Sequence, residues 1–495
     1  MLGKSVLGMV RQDPGDSEED ILDELEDILP SGIDRRKFLS GTATTMGSMM
    51  VTGCIGGDDS GDGGDGGDDS GRTSVATSST RRSDGDDGGG DGGDGSSDWT
   101  QNTEEPIEYL TWNHGQFSDW LTEWFDSFTE RYGVETDWID RAASDVPAYV
   151  ETQFQANDPP HVIDLQVTSW VTYAKEGALE PLGPYMPDER IEQLPQPVKE
   201  FLTIDGNLYG WPHFQNLGYI FARNKWLDEA GLDGTPTSTD ELFDAARQIV
   251  DETDADYGLT LYRFSFLLWS LFANEGIRIV EDGEVGFQND RTVEIVDQLQ
   301  QLTDNGVIPE VSWTSRLQEQ TQEFGSGSTG MALFYGATYR NILNQGDWVN
   351  PDTLSQNNFP GSFLFTHALF MPSQYDEATK TGASKLILHT TNRENAVLWQ
   401  RNVPNPVSRT DVLDAYRNDD EFTDWRESNP GLAQQLDRIT TAMEEGTTAT
   451  PPKVEGSFEM YGTIDSEFSA AALGEKSAQQ AVDNAAQQVE QVLNR

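Results

Sequence analysis

The chain has 495 residues, 86 acidic against 32 basic side chains, a formal net charge of -54 and one cysteine. Charge this negative, without a basic patch, excludes nucleic acid as a partner, and a single cysteine excludes an internal disulfide framework or a Cys-based zinc site. A surface so acidic predicts adaptation to concentrated salt, where near 1 M the screening length is roughly 3 Å and self-repulsion is muted.

Residues 1–34 read as an acidic N-terminal extension. Arg35 and Arg36 then precede Lys37, Phe38 and Leu39, and a weakly apolar run through Met49, Met50 and Val51 ends at Thr52-Gly53-Cys54. A paired arginine, a short apolar run and a terminal cysteine together look like a twin-arginine export signal over 35–54, running into a lipid-attachment site at Cys54. The run is too short, and too rich in Gly, Ser and Thr, to span a bilayer. Residues 55–103 are dominated by Gly, Asp and Ser with no apolar cluster to offset the cost of ordering, so they read as a disordered linker. A coil of this length spans roughly 35 to 40 Å. Its Asp-Gly repeats lack the apolar offsets and terminal Glu of calcium-binding loops.

From about residue 104 the composition is that of a folded region, long enough for two lobes at roughly 100 to 200 residues each. IEYLTW (107–112) reads as a strand. In the helix that follows, Phe117, Trp120, Leu121, Trp124, Phe125 and Phe128 recur at helical spacing, an aromatic stripe that belongs to a core. VETDWID (134–140) reads as the second strand, DVPAYVETQFQAN as the next helix and HVIDLQ (161–166) as the third strand. Alternating strands and helices imply βαβ units with parallel strands, and ligands in such sheets sit beyond the carboxyl ends of the strands. That points to Trp112, Asn113 and His114, and to Gln166 through Trp170. FSFLLWSLF, containing Trp269, reads as a buried helix, and Trp313 is a further core candidate.

The order of segments resembles the extracellular solute-binding proteins of ABC importers, in the sugar-binding group that includes the maltose-binding type. The resemblance spans nearly all of 104–495 and rests on the opening strand with Trp112, on NDPPHVIDLQVTSWVTYAKEGALEPL (157–182), and on LYGWPHFQNLGYIFARNKWLDEAGLDGTPTSTDELFDAA (208–246). It continues through LFANEGIRIVEDGEVGFQNDRTVEIVDQLQQLTDNGVIP (271–309), FGSGSTGMALFYGATYRN (324–341) and NVPNPVSRTDVL (402–413). One departure is His161, where the family often carries Asp before the strand, at a position that is usually structural. The resemblance implies an α/β fold of two lobes, each a mostly parallel sheet flanked by helices. Lobe 1 would be about 104–213 with 362–405, and lobe 2 about 214–361 with 406–495. It further implies a receptor that closes on its solute, delivers it to ABC permease subunits, works as a monomer, touches the membrane through its lipid alone, and uses no cofactor or catalytic residue.

The chemistry of the strand-end loops agrees with a carbohydrate. Trp112, Asn113, His114, Gln166, Trp170, Trp211, His213, Gln215, Asn216 and Tyr335 combine flat aromatic faces with neutral hydrogen-bonding groups, which suit the apolar faces and hydroxyl edges of a sugar. For Trp211, beside Pro212, the alternative is packing of a crossover. A receptor for a polyamine, oligopeptide, phosphate ester or metal ion, a secreted carbohydrate-active enzyme and an adhesion protein are the competing readings. Gly325 to Gly330 match the dinucleotide pattern G-x-G-x-x-G, yet they follow a helical run and precede a strand, the reverse of what a phosphate site needs. His114 and His213 would need to converge with Asp164 to hold a metal, and pocket or core histidines are the simpler reading. No G-x-S-x-G elbow marks a hydrolase.

Overall fold

The computed structural model describes residues 106–495, apart from 113, 115–117, 143–144, 166–168, 264, 316 and 404, with the backbone alone at 118–120, 265–266 and 337. The extension 1–34, the signal with Arg35, Arg36 and Cys54, the linker 55–103, and the candidates Asn113 and Gln166 lie outside the described residues.

The chain begins with β1 (Ile107–Trp112), α1 (Ser118–Tyr132), β2 (Thr136–Arg141), α2 (Val146–Ala156), β3 (Val162–Leu165) and α3 (Trp170–Lys175). The aromatic stripe of α1 is core: Leu121, Trp124, Phe125 and Phe128 are all buried. After α4 (Gln196–Phe201), β4 (Trp211–Asn216) and β5 (Gly218–Arg223) come α5 (Thr239–Glu252), β6 (Tyr257–Leu261), α6 (Ser265–Asn274), α7 (Asp290–Asp304), α8 (Leu317–Gly325) and β7 (Thr329–Tyr335). Ser238 caps α5 by accepting from the Glu241 amide, satisfying one of the donors that a helix start leaves open. The glycine-rich turn at 325–330 joins α8 to β7, as its sequence context requires. There follow β8 (Leu354–Asn358), β9 (Phe365–Phe370), α9 (Glu377–Thr390), α10 (Arg393–Asn402), α11 (Thr410–Asn418), α12 (Pro430–Glu445), α13 (Ser457–Ala472) and α14 (Ala478–Leu493). A capping box between Ser477 and Gln480 starts α14.

Two principal sheets organise these elements. The first runs β2-β1-β3-β9-β4 and the second β8-β5-β7-β6. In the first, β1 is parallel to β2 and β3, whereas β9 is antiparallel to β3 and β4. In the second, β7 is parallel to β6 and antiparallel to β5, which is antiparallel to β8. The two-lobed α/β architecture therefore carries mixed sheets. The strands that run against their neighbours are β5 and β9, each the first strand its sheet receives after a passage from the other sheet, whereas β4 and β8 keep the direction of β1–β3 and of β6 and β7.

Leu217 alone separates β4 from β5, and 359–364 separate β8 from β9. The stretch after α10 stays tied to β4, since the Gln215 amide donates to the Pro406 carbonyl (2.6 Å) and the Ser408 amide to His213 O (3.1 Å). Residues 447–449 lie along the second passage: Ala449 N donates to Ser362 O (3.0 Å) and Leu364 N to Ala449 O (3.0 Å). Gly361 sits at φ +82, and a Cβ there would stand 2.6 Å from the Asn274 amide nitrogen, so backbone conformation and close approach both demand glycine. All described residues belong to one contact-connected unit, and no helix among them is long and apolar enough to cross a membrane.

Candidate functional site

The carboxyl ends of β1 and β7 are joined by a run of rings that crosses from one sheet to the other. Tyr335, the last residue of β7, stands 5.7 Å from Phe365 at the start of β9. Phe365 stands 4.8 Å from His367, which is 4.7 Å from Trp112 and stacks on Phe214 at 4.0 Å. Phe214 leads to Trp399 (5.0 Å), and Trp399 to His213 (4.3 Å) and His114 (5.4 Å). The structure thus brings four of the expected residues, Trp112, His114, His213 and Tyr335, into one seam. All four are buried.

The seam is poor in charge. Burial pulls the His114 imidazole down to about 4 although the Asp140 carboxylate pulls the other way, and the His114 amide donates to Asp140 Oδ1 at 3.0 Å. Burial also holds His213 and His367 well below the usual imidazole range, so three neutral rings sit here at pH 7. Asp164 on β3 is fully buried, and among the described residues neither carboxyl oxygen meets a hydrogen-bond partner at bonding geometry. Burial pushes its pKa well above the carboxylate range, against the pull of the neighbouring Trp112 indole and with a smaller push from Asp140. A carboxyl in that position is held neutral. The His114 and His213 rings stand 6.5 Å apart, and among the described residues no three His, Cys, Asp or Glu side chains come together as a metal-holding group.

The other expected residues have partners inside the fold. Trp170 is fully buried between Phe370 (5.7 Å, stacked) and Phe201 (5.8 Å, edge-on). Trp211, 1 % exposed, donates its indole N–H to Thr391 Oγ1 at 2.8 Å. Gln215 donates to Ser408 Oγ (2.6 Å) and accepts from Thr366 Oγ1 (2.9 Å), fastening β4 to β9 and to the segment after α10. Asn216 is buried at the end of β4, and its Oδ1 accepts from the Leu217 amide (3.0 Å). His161 accepts from the Glu108 amide at 2.9 Å, a structural bond at the start of β3.

A cavity of about 590 Å³ lies elsewhere, walled by α2 and α3 on one side and by the start of α13 on the other. Phe154 and Tyr173 form one wall, stacked at 4.8 Å and 23°. Phe458 and Gly456 come from the α13 side, and Ser169, Thr172, Gln155 and Gln374 supply neutral hydrogen-bonding groups. Glu151 and Glu176 complete the rim; burial, then these two carboxylates, push the Tyr173 phenol up to about 12, so it stays a donor at any working pH. Sequence reasoning missed this wall. Phe154 falls four residues past Val150 and eight past Val146, both buried, so on a helical wheel it looks like the continuation of their core stripe.

A family profile described as "Bacterial extracellular solute-binding protein" matches residues 123–433, more than half of the chain. The chain belongs to that family. Solved structures with the same fold as this solute-binding protein include the GacH receptor of Streptomyces glaucescens, at 17% identity and TM-score 0.65, covering 79% of this chain and 99% of that one. Maltose-bound MalE3 of T. maritima matches at 18% identity and TM-score 0.63 over 78% and 98% of the two chains. The sugar-binding protein MalE of Xanthomonas citri matches at 19% and 0.64 over 79% and 98%. A sequence search among curated proteins finds no match. At such identities the likeness establishes the fold, while membership of the solute-binding family rests on the profile.

Proposed function

We propose that this protein is a lipid-anchored extracellular receptor that binds a sugar or oligosaccharide and hands it to an ABC importer by hinge closure, without chemistry on the ligand. The observation that carries the reading is the cavity between α2, α3 and α13. Its volume is that of a small-molecule site, and it pairs a stacked aromatic wall with neutral donors and acceptors, the combination a pyranose ring requires. Relatives of the same fold support it: MalE3 is described with maltose and GacH with acarbose. Trp112, Asn113, His114, Gln166 and Tyr335, at or just beyond strand ends, are a second proposed set of ligand contacts, since Trp112, His114 and Tyr335 lie in the seam of rings and do not line this cavity. Trp170, Trp211, His213 and Gln215 are buried and would support the fold around these contacts. The lobes would close about the passages at Leu217 and 359–364, because only the closed state lets one ligand touch both sheets.

The test is a thermal-shift screen of neutral oligosaccharides, maltotriose among them, against amines, peptides and phosphate esters in molar salt. A ligand present at 100 times its dissociation constant adds roughly 2.7 kcal/mol to apparent stability. Stabilisation by sugars that are recovered unchanged supports the receptor; release of shortened sugars shows an enzyme, and stabilisation by another class alone overturns the sugar. Anchoring is tested separately. Cys54→Ser should release the protein to the medium or leave an unprocessed precursor, and replacement of Arg35 and Arg36 by Lys should block export, since a guanidinium pair is not matched by two ammonium groups.

A further inference from the structure

The segment 447–456 leads to the wall of the cavity and is fastened on its way to α3, α4 and the residues just after α4. After α12 the chain passes 447–449 beside the second passage, runs through Pro451 and Pro452, and reaches α13, which packs on α6 through Phe272 and Phe468 (5.3 Å). Between those anchors, the Lys453 ammonium donates to Glu200 O in the last turn of α4 (2.8 Å) and to Thr203 O just beyond it (2.7 Å). Glu455 pairs with Lys175 of α3 at 3.5 Å, and the Gly456 amide donates to Thr172 Oγ1 at 3.3 Å. Thr172, Gly456 and Phe458 all line the cavity.

We infer that residues 451–456 are a closure strap and that Lys453 is its positioning residue, holding Phe458 in place across the cavity from the Phe154 and Tyr173 wall. The location of the ligand follows the reading of this cavity given above; the strap itself rests on the contacts just described. The carbonyls in a helix's last turn lack intrahelical partners and sit at the negative end of its dipole, so an ammonium is the group they best accept. The Lys175–Glu455 pair has both side chains about half exposed, and molar salt screens such a pair to little. In concentrated salt the strap is therefore held chiefly by Lys453 and by the Gly456 amide. Gly456 sits at φ +68, which turns the chain from strap into helix and sets the direction in which Phe458 points. A lobe that swings away must break both fastenings.

The experiment is hydrogen–deuterium exchange on the full chain without ligand, for wild type, Lys453→Ala and Lys453→Arg, in molar KCl. The alanine variant should exchange faster in the strap and also in 169–176 across the cavity, and the arginine variant should restore both. Where maltotriose binds, its release should quicken roughly tenfold in the alanine variant, as expected for losing hydrogen bonds from a charged donor. Faster exchange confined to 450–456 would mean a loop anchor and overturn the strap. If maltotriose binds none of the three proteins, the sugar reading passes to the wider screen, while the exchange at 169–176 still decides the strap.

Discussion

Trp211 and Tyr173 separate scaffold from site. Trp211 is 1 % exposed, its indole donates to Thr391, and the Arg190 guanidinium lies 5.8 Å from its ring. Trp211→Ala removes a fully buried ring, which costs about 3 to 5 kcal/mol. The orphaned Thr391 hydroxyl still donates to Ile387 O at 2.8 Å, so no separate penalty for an unpaired group is added. Against a total stability of roughly 5 to 15 kcal/mol, that loss should lower the denaturant midpoint sharply with an unchanged slope. Tyr173 is only part-buried and stacks on Phe154 in its wall of the cavity. Tyr173→Ala should cost less than about 2 kcal/mol of folding, while removing a stacking face worth about 0.5 to 1.5 kcal/mol beyond area. Its affinity for a sugar found by the screen should fall roughly tenfold. The assay is urea unfolding in molar salt together with titration calorimetry on each variant. If Trp211→Ala instead keeps its midpoint and loses affinity selectively, Trp211 is a ligand platform and the cavity assignment is wrong.

Three further outcomes are expected. Asp164→Asn should raise stability at pH 7: a folded-state pKa above the unfolded value gives stability that is present below about pH 4 and lost as pH rises, and the amide removes that loss. The gain should shrink in melts taken toward pH 4, and a variant equally destabilised at every pH would refute the neutral buried carboxyl. The histidines act in the opposite sense, because folded pKa values held below about 6.5 give stability that is present above that pH and lost on acidification. With His114 and His389 near 4 and His213 and His367 well below their usual value, melting temperature should fall between pH 6.5 and 4, and a flat profile there would contradict their burial as neutral rings. Lowering salt from 1 M to about 0.1 M lengthens the screening length from roughly 3 to 10 Å, so a fragment from residue 104 onward should melt at a lower temperature; equal melting would confine the charge effect to the extension and linker.

Elements whose information is local were legible. β1, α1, β2, α2 and β3 fall within three residues of where period and turn residues put them, because each is specified by its own side-chain spacing. Trp269 and Trp313 are buried, as their apolar surroundings imply. The pairing of β4 and β9 was not legible, since it joins residues about 150 apart, such as Gln215 and Thr366, and no local pattern encodes a partner at that distance.

The same limit explains which site residues sequence could name. A tryptophan near a strand end looks identical whether it faces a ligand or a distant ring, and the partners of Trp170 and Trp211 here, Phe370 and Thr391, lie 200 and 180 positions downstream. Conversely, Phe154 and Tyr173 sit on successive helices and carry no strand-end signal; only the packing of α2 beside α3 makes their rings one surface. Position relative to strand ends is thus a guide to where a cleft opens, because chain direction fixes it. Which aromatic faces the cleft depends on long-range packing, and so does the strap proposed at Lys453, whose two acceptors lie 250 residues or more upstream. Contacts between segments this far apart in the chain are the ones a one-dimensional pattern leaves unwritten.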